Sequence, residues 1–462
     1  MKLQRIYLGL WALSILGLVG CAGLPPTAPV SALPPIVFVH GNGDSAALWQ
    51  TTLWRFESNG WPRDRLHAFD VPYPLARDAD QREQAGRSSS TEHMELLSVE
   101  VQKVLQRTGA KQVVLVGNSR GGNAIRNYIC NGGGGSVVSH AILGGTPNHG
   151  VQAIAGLNEG NEFSGTGPFL SQLNAPKNAQ GDEVCGPTQW LTIRSDNNDK
   201  YAQPDGVWLG MKGKPTGVTF AGPELKGAVN VVIPRIDHRE TSFSPSAFDA
   251  TYRFITGQAA KPLAIVPETA VMLSGQVSGL GVEPLDAKSG NFVNNLPLTG
   301  AGLQVFAVDR QNGQRQGDAL LSQTIAYDGQ WGPLKTAPDV ALEFVVQATG
   351  YATTHIYRSP FARSSALVHL RPQRIAEADR SAQSMVSFVR PRGYFDPTRD
   401  TLRLDGKTEL PGVPPAAGVA LSKLMLTEAT QRGVTGEFNG ERVTGLNWPL
   451  AEQRTTVLEL TY

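Results

Sequence analysis

The chain carries a serine in a glycine-bracketed pentapeptide, the sequence feature best suited to chemistry. Gly117, Asn118, Ser119, Arg120 and Gly121 match the pattern Gly-X-Ser-X-Gly. The apolar run VVLV precedes this pattern, and a run with helical periodicity follows it. A sharp turn between a strand and a helix holds such a serine in strained backbone, and flanking residues without bulk permit that turn. The pattern predicts that Ser119 is a nucleophile for acyl transfer.

A serine nucleophile needs a general base, and the candidates are the histidines that follow it. They are His140, His149, His238, His355 and His369. His238 lies between an apolar strand and a predicted helix, which gives the chain order serine, acid, histidine. We expect His238 to be the base, with His149 in the segment GGTPNHG as the alternative. His355 and His369 are expected at the surface.

The carboxylate that orients the base should follow the predicted strand WLTIRS. Asp196, Asp199 and Asp205 are the candidates in the segment SDNNDKYAQPDG. The acid must sit at a fixed loop tip, because it holds the imidazole tautomer and stabilises the imidazolium. Asp and Asn also suit turns, so the remaining acids would be structural.

Backbone amides must stabilise the oxyanion that forms when the serine attacks a carbonyl. One donor is the amide of the residue after the nucleophile, here Arg120. The other comes from the loop after an early strand, where His40 and Gly41 follow the apolar run IVFV. We expect His40 to orient this loop rather than to titrate.

The elements that position these residues alternate between strands and helices. Unbroken apolar runs such as IVFV are typical of strands buried on both faces of a parallel sheet. Ser89 and Glu92 have the spacing of a helix capping box, and Ser244-Pro245 and Gly257 have the sequence signals of a helix start and stop. The alternation predicts an α/β fold of three layers, with ligands at the carboxyl ends of the strands.

Residues 36 to 257 resemble the α/β-hydrolase fold of bacterial and archaeal lipases and esterases. The resemblance rests on His40-Gly41, Ser119, the segment GTPNHG, Asp199 and His238. It implies a mostly parallel sheet and a serine hydrolase activity without a cofactor or metal ion.

The resemblance also assigns further site residues. Small bacterial lipases place the second oxyanion amide at the position of Asn42. Many lipases of this fold carry Asp-Glu-Ile-Val-Gln-Pro at the acid, and alignment of Gln203-Pro204 with its last two residues favours Asp199. Asn118 replaces a commoner histidine, and Arg120 replaces an apolar residue, which could bias the pocket towards polar or acidic substrates.

Apolar residues after the GTPNHG segment are candidates for a substrate pocket. An acyl chain would need an apolar crevice, and ordinary core packing is the alternative use of these side chains. The four candidates are Ile154, Leu157, Phe163 and Phe169.

The N-terminus resembles the signal of a bacterial lipoprotein. Lys2 and Arg5 precede an apolar run over 6–19, shorter than the roughly 20 residues that span a membrane. Leu18-Val19-Gly20-Cys21 resembles a lipobox, which implies removal of residues 1–20 and acylation of Cys21; a plain secretory signal is the alternative. Residues 21–35, rich in Pro and Ala, read as a tether. The implied location is the cell envelope, at the outer membrane or facing the periplasm.

Composition limits the partners of the chain. Among 462 residues, 41 Lys and Arg nearly balance 40 Asp and Glu, for a net charge of +1. Nucleic-acid binding needs concentrated positive charge, so we expect no nucleic-acid partner. Three cysteines exclude a disulfide scaffold and a multi-cysteine metal site. In an oxidising envelope Cys130 and Cys185 are a candidate disulfide.

The last 200 or so residues have a different pattern. Helical periodicity gives way to short apolar or alternating runs separated by Gly, Asp and Pro, which is typical of an antiparallel sandwich. The pattern resembles transthyretin-like and carboxypeptidase-regulatory sandwiches. We therefore divide the chain into an α/β-hydrolase domain over 36–258 and an all-β region over 259–462. A boundary near 376 would separate modules 262–376 and 377–462, or mark a crossover within one. Trp331, Tyr351 and Tyr394 are candidates for exposed aromatics that grip an insoluble substrate.

These patterns predict a membrane-anchored serine hydrolase of the lipase or esterase type that cleaves carboxylic esters through an acyl-enzyme on Ser119. Its partners would be an ester or lipid substrate and the membrane, through the N-terminal acyl anchor. A polyester depolymerase of the polyhydroxyalkanoate type is the alternative. An amidase or acyltransferase with the same triad, and an inert binding lipoprotein, are further alternatives. The oligomeric state is left open.

Overall fold

A computed structural model describes residues 33–203, 215–281, 292–415, 418–428 and 430–462. The predicted signal peptide, Cys21, most of the tether and the acid candidate Asp205 lie outside these ranges. Residues 34–462 form one compact unit. In the part of the chain that is described, no helix combines the length and the apolar character needed to cross a membrane.

The first half of this unit is built on a six-stranded, all-parallel sheet. The strands have the order β2-β1-β3-β4-β5-β6. They are β1 (Ile36–Val39), β2 (Leu66–Ala68), β3 (Val113–Asn118), β4 (Val138–Gly144), β5 (Gln189–Ser195) and β6 (Val229–Ile233). Strands β1 and β3 are fully buried, which explains their unbroken apolar runs. The predicted α/β fold is confirmed.

Helices connect these strands, and several begin and end where the sequence predicts. They are α1 (Gln50–Ser58), α2 (Ser90–Thr108), α3 (Arg120–Asn131), α4 (Pro168–Leu173), α5 (Glu240–Phe243) and α6 (Pro245–Thr256). The predicted capping box of α2 is confirmed: the Ser89 hydroxyl accepts from the Glu92 amide, and the Glu92 carboxylate accepts from the Ser89 amide. Ser244 caps α6, and Gly257 ends α6 in the left-handed conformation.

Among the described residues, the second half is built of β-strands in one large sheet and three small ones. The large sheet has seven strands in the order β11-β10-β13-β14-β20-β15-β17. The smaller sheets pair β12 with β7 and β8 with β9, and place β18 between β16 and β19. The strands are β7 (Val271–Gln276), β8 (Ser278–Gly281), β9 (Phe292–Pro297), β10 (Gly302–Val308), β11 (Leu321–Thr324), β12 (Gln330–Thr336), β13 (Ala341–Gln347), β14 (Thr353–Arg358), β15 (Ser384–Val389), β16 (Leu402–Leu404), β17 (Leu421–Leu426), β18 (Gly433–Phe438), β19 (Glu441–Leu446) and β20 (Arg454–Glu459).

The C-terminal strand β20 is the exception to antiparallel pairing in the large sheet. It runs parallel to both of its neighbours, β14 and β15. Strand β14 precedes residue 376 and β15 follows it. The large sheet therefore continues across the candidate boundary between modules 262–376 and 377–462.

The two halves share a hydrophobic core. Trp54 of α1 is only 1% exposed and belongs to the cluster of the β region, where its ring packs against Phe361 and Tyr462. Its indole N–H donates to the carbonyl of Ser364 at 2.9 Å. Glu57, one turn further along α1, accepts from Arg363 at 3.0 Å. Helix α1 is therefore held by residues of the β region.

Expectations of surface exposure are wrong for three residues. Trp331 and Tyr394 are buried rather than available to a substrate surface, whereas Tyr351 is half-buried. His355 is buried as well, where its Nδ1 contacts the Glu343 carboxylate at 2.7 Å. The three buried side chains contact residues from other segments of the chain, which a pattern of short strands does not reveal.

Replacing Trp54 with Ala should lower the free energy of unfolding by about 3–5 kcal/mol, since it removes a buried indole and leaves a cavity between the two halves. Urea denaturation of the full-length variant measures the change. Trp54→Phe keeps the ring contacts and should cost distinctly less. A loss below about 1 kcal/mol for Trp54→Ala would contradict the shared core.

Candidate active site

Ser119 stands at a strained turn between β3 and α3. Its backbone has φ 54° and ψ −121°, a conformation that residues other than glycine rarely adopt. The Ser119 amide donates to the carbonyl of Gly144 at 2.9 Å, which ties the turn to β4. This is the geometry of a nucleophile elbow, in which the side chain is presented above the carboxyl edge of the sheet.

The glycines around Ser119 allow two backbones to approach each other. A Cβ atom on Gly121 would lie 2.3 Å from the Val39 carbonyl oxygen and 2.7 Å from that of His40. A Cβ on Gly117 would lie 2.8 Å from the backbone of Gly121. Backbone atoms cannot yield as a flexible side chain can, so both positions require glycine.

His238 and Asp199 form a buried pair at the same edge of the sheet. His238 Nδ1 lies 2.9 and 2.8 Å from the two carboxylate oxygens of Asp199. A carboxylate can only accept here, so Nδ1 donates to Asp199, and Nε2 is the ring nitrogen that faces away from the acid. Asp199 is 1% exposed, whereas Asp196 is exposed and accepts from the backbone amide of Arg235. The structure thus pairs His238 with Asp199 and not with Asp196.

The loop that carries Asp199 is fixed by its own hydrogen bonds. The Asp199 carboxylate accepts from the amides of Tyr201 at 2.8 Å and Ala202 at 3.1 Å. The Gln203 side chain accepts from the Asn197 amide at 2.8 Å and donates to the Ser195 carbonyl at 2.8 Å. These bonds leave the carboxylate little freedom to turn away from the histidine.

Asn118, which the sequence marks only as a departure from the family pattern, joins the histidine loop to the elbow. Its side-chain amide donates to the carbonyls of Gly144 at 3.1 Å and His238 at 3.2 Å. The Thr241 hydroxyl also donates to the His238 carbonyl, at 2.7 Å. The residue directly before Ser119 therefore sets the position of the backbone that carries the imidazole.

The predicted oxyanion donors lie on the two segments that meet at the elbow. Arg120 is the first residue of α3, so its N–H belongs to the turn that has no acceptor within the helix. Asn42 follows β1, and its side chain accepts from the Ala76 amide at 2.7 Å, which anchors the loop. His40 accepts from the Val71 amide through Nε2 and donates from Nδ1 to the Gly41 carbonyl. These bonds give His40 the orienting geometry expected of it.

The Arg120 side chain does not face a substrate pocket, so the expected bias towards acidic substrates is wrong. Its guanidinium is 1% exposed and makes a two-pronged ion pair with Glu162 at 2.6 and 2.9 Å. It also donates to the Pro74 carbonyl and to Ser88. Burial raises the pKa of Glu162, while Arg120 opposes that rise. The arginine fastens the segment over 74–88 to α3.

His149 is engaged in another pair. Its Nδ1 lies 2.6 Å from the Gly222 carbonyl, and its Nε2 lies 3.0 Å from the Glu183 carboxylate. The hydrogen bond that His149 donates to the Glu183 carboxylate raises the pKa of His149. Since both ring nitrogens have partners, His149 is not available as a base for Ser119. His140 lies in β4.

The four candidate pocket residues, Ile154, Leu157, Phe163 and Phe169, are all half-buried. Phe169 lines a cavity of about 530 Å³ whose other walls include Asp78, Arg82 and Asn127. The polar walls suit an acyl chain poorly, so these residues stay predictions for the substrate pocket.

Buried ion pairs join the β region to the loop that carries His238. Arg390 binds Asp237, directly before the histidine, at 2.8 Å, and Glu240, directly after Arg239, at 2.6 Å. Arg399 binds the other oxygen of Glu240 at 2.6 Å. Burial and the charge of Asp237 raise the pKa of Glu240, which the two arginines oppose. We call these four side chains the ion-pair clamp.

Aromatic rings pack beside the histidine. The Tyr201 ring lies 4.8 Å from the His238 ring, and the Tyr394 ring lies 5.4 Å from that of Tyr201, between centroids. Burial raises the pKa of both phenols, so both stay protonated near neutral pH. Tyr394 comes from the β region, and its backbone amide donates to Asp237 at 2.8 Å.

Cys130 and Cys185 form a disulfide. It joins the end of α3 to the segment before β5, the strand that leads to Asp199. The cross-link therefore connects the element that follows the serine to the element that precedes the acid.

Replacing Gly121 with Ala should destabilise the fold by more than about 3 kcal/mol, since the new Cβ collides with backbone atoms of β1 that cannot move aside. Urea denaturation measures the change. Gly135→Ala is the matched control, because its Cβ would lie 3.5 Å from the nearest atom, and a change within about 0.5 kcal/mol is expected. Equal stability of the two variants would count against the close approach.

Comparisons with known proteins agree with this architecture. Residues 34–186 match the model of the class 2 lipase family, and residues 269–375 match that of the lipase C-terminal domain.

Among solved structures, the mature lipase BlEst2 from Bacillus licheniformis is similar at 22% identity, with 51% of this chain and 96% of that chain covered and a TM-score of 0.36. Aspergillus fumigatus lipase B is similar at 13% identity, with 52% and 57% covered and a TM-score of 0.35. Legionella pneumophila phospholipase PlaB is similar at 12% identity, with 75% and 95% covered and a TM-score of 0.33. The parallel strand order and the strained serine elbow give the chain the fold of an α/β hydrolase.

Proposed function

We propose that the chain is a serine hydrolase of carboxylic esters with Ser119 as nucleophile, His238 as base and Asp199 as orienting acid. The single observation that carries the proposal is a serine on a strained elbow, with a buried histidine–carboxylate pair anchored to it through Asn118. The matches to two lipase family models support an ester as the substrate class.

In the proposed reaction His238 Nε2 removes the proton of the Ser119 hydroxyl while Oγ attacks the ester carbonyl carbon. The amides of Asn42 and Arg120 stabilise the oxyanion, and Asp199 stabilises the imidazolium. The imidazolium then protonates the leaving alcohol, and an acyl-enzyme remains on Ser119. A water molecule deprotonated by His238 attacks this ester and releases the acid, which restores the serine.

The membrane anchor and the location are part of the same proposal. An acylated Cys21 would hold the enzyme at the cell envelope, facing the periplasm or at the outer membrane. The disulfide between Cys130 and Cys185 supports this location, because such bonds persist in oxidising compartments. The substrate would then be a lipid or another ester that reaches the membrane surface.

Replacing Ser119 with Ala should abolish hydrolysis of p-nitrophenyl butyrate without unfolding the chain, because only the nucleophilic oxygen is removed. Asp199→Asn should lower kcat by about 10⁴-fold, since the carboxylate no longer fixes the tautomer. Asp196→Asn is the matched control, because this exposed acid contacts the Arg235 backbone instead of the histidine. Full activity of Ser119→Ala, or equal loss in the two aspartate variants, would refute the assignment.

Arg390→Met should lower kcat by about tenfold to a hundredfold with little change in KM, since His238 loses an anchor of its loop and misplacement of a base is costly. Arg390 is a positioning residue here, so Arg390→Lys should restore part of the rate. Arg442→Met removes an exposed arginine and should change neither constant. A variant that raises KM alone would contradict a role in positioning the base.

A further inference from the structure

A cavity of about 340 Å³ lies where the loop after β1 meets the β region. Gly43, Asp44 and Ser45 line it from the hydrolase side. Its volume lies at the lower end of the roughly 300–1,000 Å³ typical of small-molecule sites. Ser119 is not among the described residues that line it, so this cavity is separate from the nucleophile.

The walls of this cavity carry an excess of positive charge. Six cationic side chains and two carboxylates line it among the described residues. The carboxylates, Asp44 and Glu459, are paired with Arg239 and Arg358, and Lys423 is paired with Asp379 at 2.8 Å. Within the described part of the chain, Arg371 and Arg392 have no carboxylate within ion-pair distance. The six cations are Arg239, Arg358, Arg371, Arg374, Arg392 and Lys423. An anion would therefore be favoured in this cavity.

Two of these arginines are almost completely buried. Arg358 and Arg392 are each only 2% exposed. Arg358 Nη2 and Arg392 Nε make no hydrogen bond with the described part of the protein, and both atoms lie too deep for a ligand in the cavity to contact them. Burial and the nearby Arg358 lower the pKa of Arg392 to about 10. A guanidinium charge in such surroundings is poorly solvated, so an anion in the cavity would stabilise it.

The remaining walls are largely apolar. Leu280, Val293, Met385, Leu421 and Val457 contribute hydrophobic surface to the same space. We propose that this cavity binds a single-chain amphiphile with an anionic head, of the long-chain carboxylate class. The head pairs with the Arg371 and Arg392 guanidinium groups, and the chain lies against the apolar wall. The volume is too small for a lipid with two long chains.

The site is distinct from the proposed reaction but adjoins it. Arg239 lines the cavity and directly follows His238, and its guanidinium pairs with Asp44 at 3.0 Å. Asp44 lies two residues after Asn42. A bound carboxylate would therefore lie behind the loops that carry the base and one oxyanion donor. The proposal does not depend on hydrolysis, since binding is measured on its own.

The test is calorimetric titration of laurate, below its micelle concentration, into the full-length Ser119→Ala protein. One site per chain is expected. Arg392→Met should weaken laurate binding by about tenfold or more, since it removes a charge-assisted hydrogen bond in a buried site. Because loss of a buried arginine can unfold a protein, Ala420→Phe provides a second variant: it fills the cavity, removes no polar group and should also abolish binding. Circular dichroism checks that each variant is folded.

Arg403→Met is the matched control, because this exposed arginine lies outside the cavity, and laurate affinity should not change. Three outcomes would overturn the proposal. Dodecanol binding as tightly as laurate would show that no anionic head is recognised. Tighter binding of dodecyl phosphate would assign the site to another head group. Laurate binding that survives both cavity variants would place the ligand elsewhere, for example at Ser119.

Discussion

The close approach of two backbones at the tip of β3 is the constraint on which the rest of the site depends. Gly121 lies against the carbonyl of Val39, so the helix that begins after Ser119 touches the strand that leads to the oxyanion loop. This contact holds the serine in a conformation it would not adopt alone, and it brings the Arg120 amide close to the segment of Asn42. A residue keeps a strained backbone conformation only where the contacts around it allow no other conformation.

The proposed acid, base and nucleophile are held by different parts of the chain. Asp199 is fixed by its own loop, and Ser119 by the hydrolase sheet. The base differs, because Asn118 holds its backbone from one side and the ion-pair clamp holds the flanking residues from the other. The β region is therefore a structural partner of the loop that carries His238.

The parallel sheet, the helix caps and the chemistry-bearing residues can be predicted from sequence, because each depends on a local pattern. A glycine-bracketed serine after an apolar strand indicates an elbow whatever surrounds it. Long-range pairing leaves no such pattern: Asp237 and Arg390 are 153 positions apart and their contact could not be predicted. The same reason explains the errors. Arg120 directly follows the proposed nucleophile, which suggests a substrate contact, but the distant Glu162 binds its side chain. The pattern of a short strand gives no sign that His355 is buried, because its partner Glu343 lies on another strand.

The parallel pairing of β20 has a consequence for the support of the histidine loop. This strand lies between β14 and β15 inside the seven-stranded sheet, so it joins strands from both sides of residue 376. Strand β15 leads directly to Arg390, and β20 is one of its two partners. Weaker pairing of β20 would therefore loosen the strand that presents Arg390 to the loop of His238. A change far from Ser119 in the sequence could act on its neighbour His238 through one shared sheet.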